Sequence, residues 1–204
     1  MSPRAVPPSS RRPLLRGALV ALLFAFSAPA AAGDTGSDEE FPCAVGPRAA
    51  CAGVDLRHRV LKGRDLSGID LTGANLAHAV LRDVDLRGAD LSGAILDGAV
   101  LERAFLQGAK FAGVKARGAN FDFARMSGSD FSGADLTGAS LEMAWATKAS
   151  FKGAILVNTN LQEAKLSEST LEGADLSGAF IRYALFLNTV MAACTACPTD
   201  WQAR

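Results

Sequence analysis

Apolar residues recur along most of this chain at a strict spacing of five. Steps of five from Leu56 run through Leu61, Leu66, Leu71 and Leu76, then Phe111, Phe121, Phe131, Phe151 and Leu171, and end at Met191. The series makes 28 consecutive apolar positions without an insertion. The residue two places before the centre is small at most steps, as at Ala74, Ala79, Ala89, Ala94, Ala99, Ala104 and Ala184. Between the two stands Asp or Asn in many units, as at Asp65, Asp70, Asn75, Asp85, Asp90, Asp130, Asp135 and Asp175. Glycine recurs two places after the centre, as at Gly68, Gly73, Gly88, Gly93, Gly98 and Gly108.

Neither standard element produces this period. A helix repeats every 3.6 residues and a strand every two. A period of five needs a unit that closes on itself, a short extended segment followed by a tight turn. The apolar centre and the small residue two before it then point to one side, as alternate residues of an extended segment must. Glycine suits a turn position of positive φ, and Asp or Asn can hydrogen-bond the local backbone at the corner.

The tandem motif Ala-(Asp/Asn)-Leu-x-x resembles the pentapeptide-repeat family. Ala74-Asn75-Leu76, Ala89-Asp90-Leu91, Ala134-Asp135-Leu136 and Ala174-Asp175-Leu176 match it most closely, and the pattern covers about two thirds of the chain. The resemblance implies an all-β fold, a right-handed quadrilateral β-helix with four pentapeptides per coil. The repeats then make about seven coils, a rod on the order of 34 Å long at the ~4.8 Å spacing of paired strands.

Such a fold imposes a second period of twenty. One inward column then reads Leu71, Leu91, Phe111, Phe131, Phe151, Leu171, Met191, which predicts three stacked phenylalanines. Ala116 stands where a leucine is expected, between Phe111 and Phe121, whose rings can fill the deficit as close packing requires. Arg59 and Arg64 occupy the small inward position at the start. A buried, unpaired guanidinium is costly. A distorted first coil, or arginines leaving through its open end, is expected there.

The ends read differently. Residues 1–32 read as a signal peptide. Arg11, Arg12 and Arg16 form a basic region, Gly17–Ser27 an apolar stretch too short to span a bilayer, and Ala30-Ala31-Ala32 a small-residue cleavage site. Ser10-Arg11-Arg12-Pro13-Leu14-Leu15 also fits a twin-arginine signal, so the Sec and twin-arginine routes both stay open. Periplasmic or secreted localisation is expected, with no membrane span after cleavage. Residues 33–53 read as an acidic linker and N-terminal cap, 54–191 as the repeat domain, and 192–204 as a C-terminal cap that uses Trp201. The whole chain is balanced at 21 basic and 21 acidic residues. Residues 1–32 hold four arginines and no acid, so cleavage leaves 17 against 21, a charge of −4. Nucleic-acid binding needs clustered cations and is not expected.

Four cysteines lie in two local groups, Cys43 with Cys51 and Cys194 with Cys197. Exported proteins favour disulfides. On the rod that the resemblance implies, the groups sit at opposite ends, which favours local pairing because bridged Cα atoms lie about 6 Å apart. A redox role for the Cys194-Thr195-Ala196-Cys197 motif is the alternative, and it lacks a thioredoxin-like context. His58 and His78 fall twenty apart and are read as exposed neighbours on adjacent coils, with a metal pair beside Asp55 or Asn75 as the alternative. No cofactor is expected.

One corner departs from the pattern. Its outward pairs read Gly63/Asp65, Asp83/Asp85, Arg103/Phe105, Phe123/Arg125, Met143/Trp145, Glu163/Lys165 and Tyr183/Leu185. Phe105, Phe123, Met143, Trp145, Tyr183 and Leu185 are thus the candidate protein-interaction residues. Stacking that only stabilises adjacent coils is the competing reading. The last coil is rich in apolar residues, from Phe180 to Met191. In pentapeptide-repeat proteins that act on DNA gyrase, end-to-end dimers form through the C-terminus, so a homodimer through this coil is implied by the resemblance.

No nucleophile–base pair, isolated carboxylate pair or phosphate loop is visible, and a non-enzymatic protein is expected. The reading is an exported protein-binding or scaffold module that engages an unidentified envelope protein. A DNA-mimic topoisomerase interactor is the first alternative, and a thiol protein the second.

Overall fold

The computed structural model describes residues 41–199, all within one compact unit, Gly36–Arg204. The signal-peptide reading, the linker up to residue 40 and the Trp201 cap lie outside the described residues.

The backbone explains the period of five directly. In the unit Asn75–Ala79, the Asn75 amide donates back to Val54 O at 2.8 Å. Leu76 N and His78 N donate forward, to Ile95 O at 2.7 Å and Asp97 O at 2.9 Å, and Ala79 N closes the turn on Leu76 O at 3.0 Å. The fifth amide, Ala77 N, is taken by Asn75 Oδ1 at 3.2 Å. The side-chain amide therefore completes the unit, and no buried donor is left over. The same side-chain bond is made by Asp55, Asp65, Asp70, Asp85, Asp90, Asn120, Asp130, Asp135, Asn160 and Asp175. In each turn the third residue holds positive φ, such as His78 at 57°, the signature of a type II turn.

Every bridge is parallel and joins residues twenty apart, from Ala50↔Asp70 to Asp175↔Thr195. Four pentapeptides thus return the chain to the same side. The four outward columns define four faces. Face I carries Asp55, Asn75, Ile95, Lys115, Asp135, Ile155 and Asp175. Face II carries Val60 to Phe180, face III Asp65, Asp85, Phe105, Arg125, Trp145, Lys165 and Leu185, and face IV Ala50 to Val190. Among the described residues the ladder consists of isolated bridges rather than longer strands, because each unit has one ladder residue before the chain turns.

Leucine, phenylalanine and alanine fill the interior, nearly all of them fully buried. The expected phenylalanine ladder is present. The Phe111 and Phe131 rings stack at 4.5 Å and Phe131 and Phe151 at 5.4 Å. Phe121 meets Phe111 and Phe131 edge-on, at 6.3 and 5.8 Å, and so reaches across the level where Ala116 is small. Hydroxyls at the small inward position are satisfied by turn carbonyls, as for Thr159 Oγ1 on Leu136 O at 2.9 Å and Thr189 Oγ1 on Leu166 O at 2.7 Å.

The first coil is regular rather than distorted. Arg59 N and Arg64 N close ordinary turns, both at 3.2 Å. Their side chains leave through the open end and place guanidinium carbons 5.6 and 4.7 Å from the Phe41 ring centre. The missing small residues thus cost no buried charge, because among the described residues no preceding coil covers that position and an aromatic ring meets the cations. The Cys43–Cys51 bridge, with Cα atoms 5.8 Å apart, anchors this segment to the stack. Among the described residues no further coil follows at the other end. Phe180, Leu187 and Val190 are exposed there, and the inward residues Ile181, Ala184 and Met191 are only partly covered.

Candidate interaction surface

The turns that lead into face III break the rule kept elsewhere. At the corner between faces IV and I the positive-φ position is glycine at every turn from Gly53 to Gly173. At the corner of face III, only Gly63 is glycine. Asp83, Arg103, Phe123, Met143, Glu163 and Tyr183 follow, all with φ between 54° and 61°. A Cβ in this conformation costs about 1–2 kcal/mol per residue. The other two corners carry such residues only in part, among them His58, His78 and Asn158 on one and Lys148 and Glu168 on the other. Backbone strain of this kind persists where a side chain is needed more than the turn is.

Those side chains stand beside the face III column. Phe123, Trp145, Tyr183, Leu185 and Leu187 are between 47% and 64% exposed, and all five lie on this face. On the other faces, away from the last coil, the large exposed apolar side chains among the described residues are the separated Val60 and Ile155. Two of the residues expected to be exposed are half-buried instead. The Arg125 guanidinium lies 5.2 Å from the Phe105 ring centre and shields it. Met143 is flanked in register by Phe123 and Glu163 one coil to either side, and is half-buried between them. Leu187, read from the sequence only as one of the apolar residues of the last coil, is exposed beside them. Its column holds Gln107, Ser127, Thr147 and Ser167 below it, so only the register of twenty reveals one apolar residue at its end.

Along face III, aromatic and cationic rungs alternate. Arg125 covers Phe105, and Lys165 Nζ sits 3.9 Å from the Trp145 ring centre. Near the end, the Arg182 guanidinium lies 4.7 Å from the Tyr183 ring centre. Many other cations pair with carboxylates instead. Arg82 meets Glu102 at 3.2 Å, Arg103 meets Asp83 at 3.0 Å, Lys110 meets Asp90 at 3.1 Å, and Lys152 meets Glu172 at 3.1 Å. Arg57 binds Asp55, Arg87 binds Asp85, Arg117 binds Asp135 and Lys148 binds Glu168 in the same way. A ring polarises toward a cation without cancelling its charge. Arg125 and Lys165 therefore keep their positive charge available at the surface, while the paired cations do not.

The corner aspartates are tuned by the turn bonds already described. The Asp85 carboxyl is held low chiefly by the Arg87 guanidinium, and that of Asp90 chiefly by the Ser92 hydroxyl, with Lys110 adding to it. Burial pushes Asp135 up, but the bonds from Thr137 and Arg117 together bring it below the ordinary range. All are ionised at neutral pH and act as acceptors that fasten turns.

The remaining candidates lie elsewhere. Cys194 and Cys197 are bonded to each other, with Cα atoms 5.8 Å apart, at the open end of the stack. His58 and His78 stack on adjacent coils, ring centres 5.2 Å apart and planes 11° apart. Near them, Asp55 is held by Arg57, and Asn75 Oδ1 by its own turn. Among the described residues, no group of three or more His, Cys, Asp or Glu converges on a metal-sized point, and no helix is long and apolar enough to cross a membrane.

Fold and repeat together define the class. The family described as pentapeptide repeats (8 copies) matches residues 49–93, 65–103, 104–142, 117–153 and 147–182, well over half of the chain. The protein belongs to the pentapeptide-repeat family. No curated protein sequence matches it. Among solved structures it is similar to HetL, a pentapeptide-repeat protein involved in heterocyst differentiation regulation in Nostoc sp. strain PCC 7120. That match has 26% identity, 71% of this chain, 75% of that chain and a TM-score of 0.46. A pentapeptide-repeat protein from the Arabidopsis thaliana thylakoid lumen is 35% identical over 48% of this chain and 66% of its own, with a TM-score of 0.36. QnrB1, a plasmid-mediated fluoroquinolone resistance protein, is 21% identical over 76% of this chain and 91% of its own, with a TM-score of 0.38.

Proposed function

We propose that this protein is an exported, non-enzymatic binding or scaffold module of the cell envelope, a right-handed rod of about seven coils that engages a protein partner through face III. The observation that carries the reading is the run of six non-glycine residues in left-handed turns at one corner, beside exposed Phe123, Trp145 and Tyr183. Stacking alone would not require it, because ladders of side chains form equally well in the bridge columns, where φ is unstrained. Export rests on the sequence of residues 1–32 and is consistent with the two cysteine bridges. The bridge at Cys194–Cys197 supports a structural role over a thiol reaction. A DNA mimic needs an open array of carboxylates in place of phosphates. The ion pairs of Asp55, Asp83, Asp85, Asp90, Asp135, Glu102, Glu168 and Glu172 tie much of the negative charge locally, which favours the envelope partner over a topoisomerase.

The open C-terminal coil, with Phe180, Leu187 and Val190 exposed, supports a second proposal, end-to-end homodimerisation. Affinity capture from the cell envelope tests the main reading. Wild type should retain a partner that the Phe123→Ser/Trp145→Ser variant loses while melting as wild type does. Capture that survives both substitutions would refute a binding role for face III. Retention of the chain in the cytoplasm would refute the envelope assignment.

A further inference from the structure

In the bridge column of face III, Phe105 and Trp145 are each paired with a cation one coil away, which bears on the chemistry of the partner. Phe105 and Trp145 have a ring face turned toward Arg125 and Lys165, at 5.2 and 3.9 Å. A ring holding a cation at that distance offers a partner its edge and its free flank. Ring edges are electropositive. The cations themselves have no carboxylate partner among the described residues. Edges and cations together therefore make a surface that attracts negative charge.

The neighbouring acids are held at the N-terminal end and at the corner of the face. Asp83 is bound to Arg103 and Asp85 to Arg87 at the N-terminal part of the face. At the adjoining corner, Asp122 accepts the Ser140 hydroxyl and the Glu142 amide, and Glu142 accepts Asn160 Nδ2 at 3.1 Å. Glu163 is the one carboxylate in the row between Met143 and Tyr183, and it stands beside Lys165. From Phe105 onward the bridge column of face III thus carries Arg125 and Lys165 and no carboxylate, while Asp122, Glu142 and Glu163 stand at the corner beside it.

We propose that face III binds an acidic segment of a protein partner, whose carboxylates reach Arg125 and Lys165 while an apolar side chain between them lies against Trp145 and Phe123. Arg125 and Lys165 are two coils apart, which at the spacing of paired strands is about 10 Å. Carboxylates three residues apart on a segment in the polyproline II conformation, which has three residues per turn and a rise of ~3.1 Å, project to one side about 9 Å apart and match that distance. The cation–π contacts preorganise both cations, so little side-chain entropy is lost when the segment binds. This inference rests on face III being a binding surface and adds the chemistry of what it takes.

The test uses short peptides that repeat Glu-Phe-Gly, Gln-Phe-Gly or Lys-Phe-Gly, titrated into the full chain carrying Trp201→Phe so that Trp145 alone reports. The Glu peptide should change Trp145 emission and bind more weakly as salt is raised. Its affinity should fall about tenfold or more in Arg125→Gln/Lys165→Gln and be largely retained in Lys165→Arg. A thermal melt of each variant confirms that the stack is intact. Equal binding of the Gln or Lys peptide would overturn the proposal, as would Glu-peptide binding that survives the double substitution. Binding of phosphatidylglycerol vesicles with no peptide bound would overturn it in favour of a lipid surface. If no peptide binds while envelope capture is still lost in Phe123→Ser/Trp145→Ser, the acidic-segment inference falls and the binding face stands. If capture is unaffected too, both fall.

Discussion

Replacing Phe123 by glycine and by alanine separates strain from contact at the corner of face III. Phe123 holds φ at 59° and is about half exposed. Both substitutions remove the ring, so the burial and contacts of the ring cancel when the two variants are compared. What differs is the Cβ. Alanine keeps a steric cost of about 1–2 kcal/mol in the left-handed region. Glycine escapes it but loses about 0.5–1 kcal/mol more conformational freedom on folding. Glycine should therefore be more stable than alanine, by about 0.75 kcal/mol at the middle of these ranges and by about 1.5 kcal/mol at most, the reverse of their order in a helix or strand. For a domain of this size that is about 2–4 °C in Tm. Urea denaturation followed by far-UV circular dichroism measures it. The ring itself is worth about 1 kcal/mol at half burial, so Phe123→Gly should fall within about 1 kcal/mol of wild type. Loss of partner capture in a variant of wild-type stability would then assign the ring to binding. An alanine variant as stable as the glycine variant, or a glycine variant well below wild type, would refute the claim that this corner is strained for function.

Phe131→Ala should behave in the opposite manner. It removes the middle ring of a buried stack and should cost about 3–5 kcal/mol, and because coils contact only their neighbours the loss should appear as separate unfolding of the two halves in hydrogen exchange. Cys43→Ser/Cys51→Ser opens a short loop and should cost about 2–3 kcal/mol, with the fastest exchange in the coil that holds Arg59 and Arg64. Acid should destabilise the stack. Asp85, Asp90, Asp135 and Asp175 have carboxyls lowered by folding, so their stabilisation is complete above the unfolded value near 4 and is lost as pH falls through the lower folded values. A Tm that is flat from pH 7 to about 5 and drops below 4 is the expected profile, and a Tm rising on acidification would contradict it.

Reading these residues from sequence works where an interaction is periodic. The phenylalanine ladder was visible because Phe111, Phe131 and Phe151 are twenty apart, and the side-chain bonds at the corners because Asp or Asn precedes the apolar centre. It fails where neighbours decide. Phe105 and Trp145 are equivalent in the repeat, yet Phe105 is half-buried and Trp145 exposed, because that depends on how Arg125 and Lys165 lie across them. Leu187 was legible only as part of the apolar last coil and not as a neighbour of face III, because its column is polar until there.

The sequence by itself determined the fold of residues 54–191. A unit of five with its apolar centre, small partner and turn residue closes its own hydrogen bonds, and repeating it leaves one way to stack. It also marked the corner of face III, since the absence of glycine there is plain in the register. Only the tertiary structure decided what happens at the ends and on the surface. Arg59 and Arg64 turn outward onto Phe41 instead of distorting the first coil, because among the described residues no coil stands before it. Arg125 and Lys165 settle on rings while Arg87, Arg103 and others settle on carboxylates. Surface side chains choose among several neighbours of similar energy, and a local repeat cannot rank them. The buried positions have one place to go, and the repeat states it.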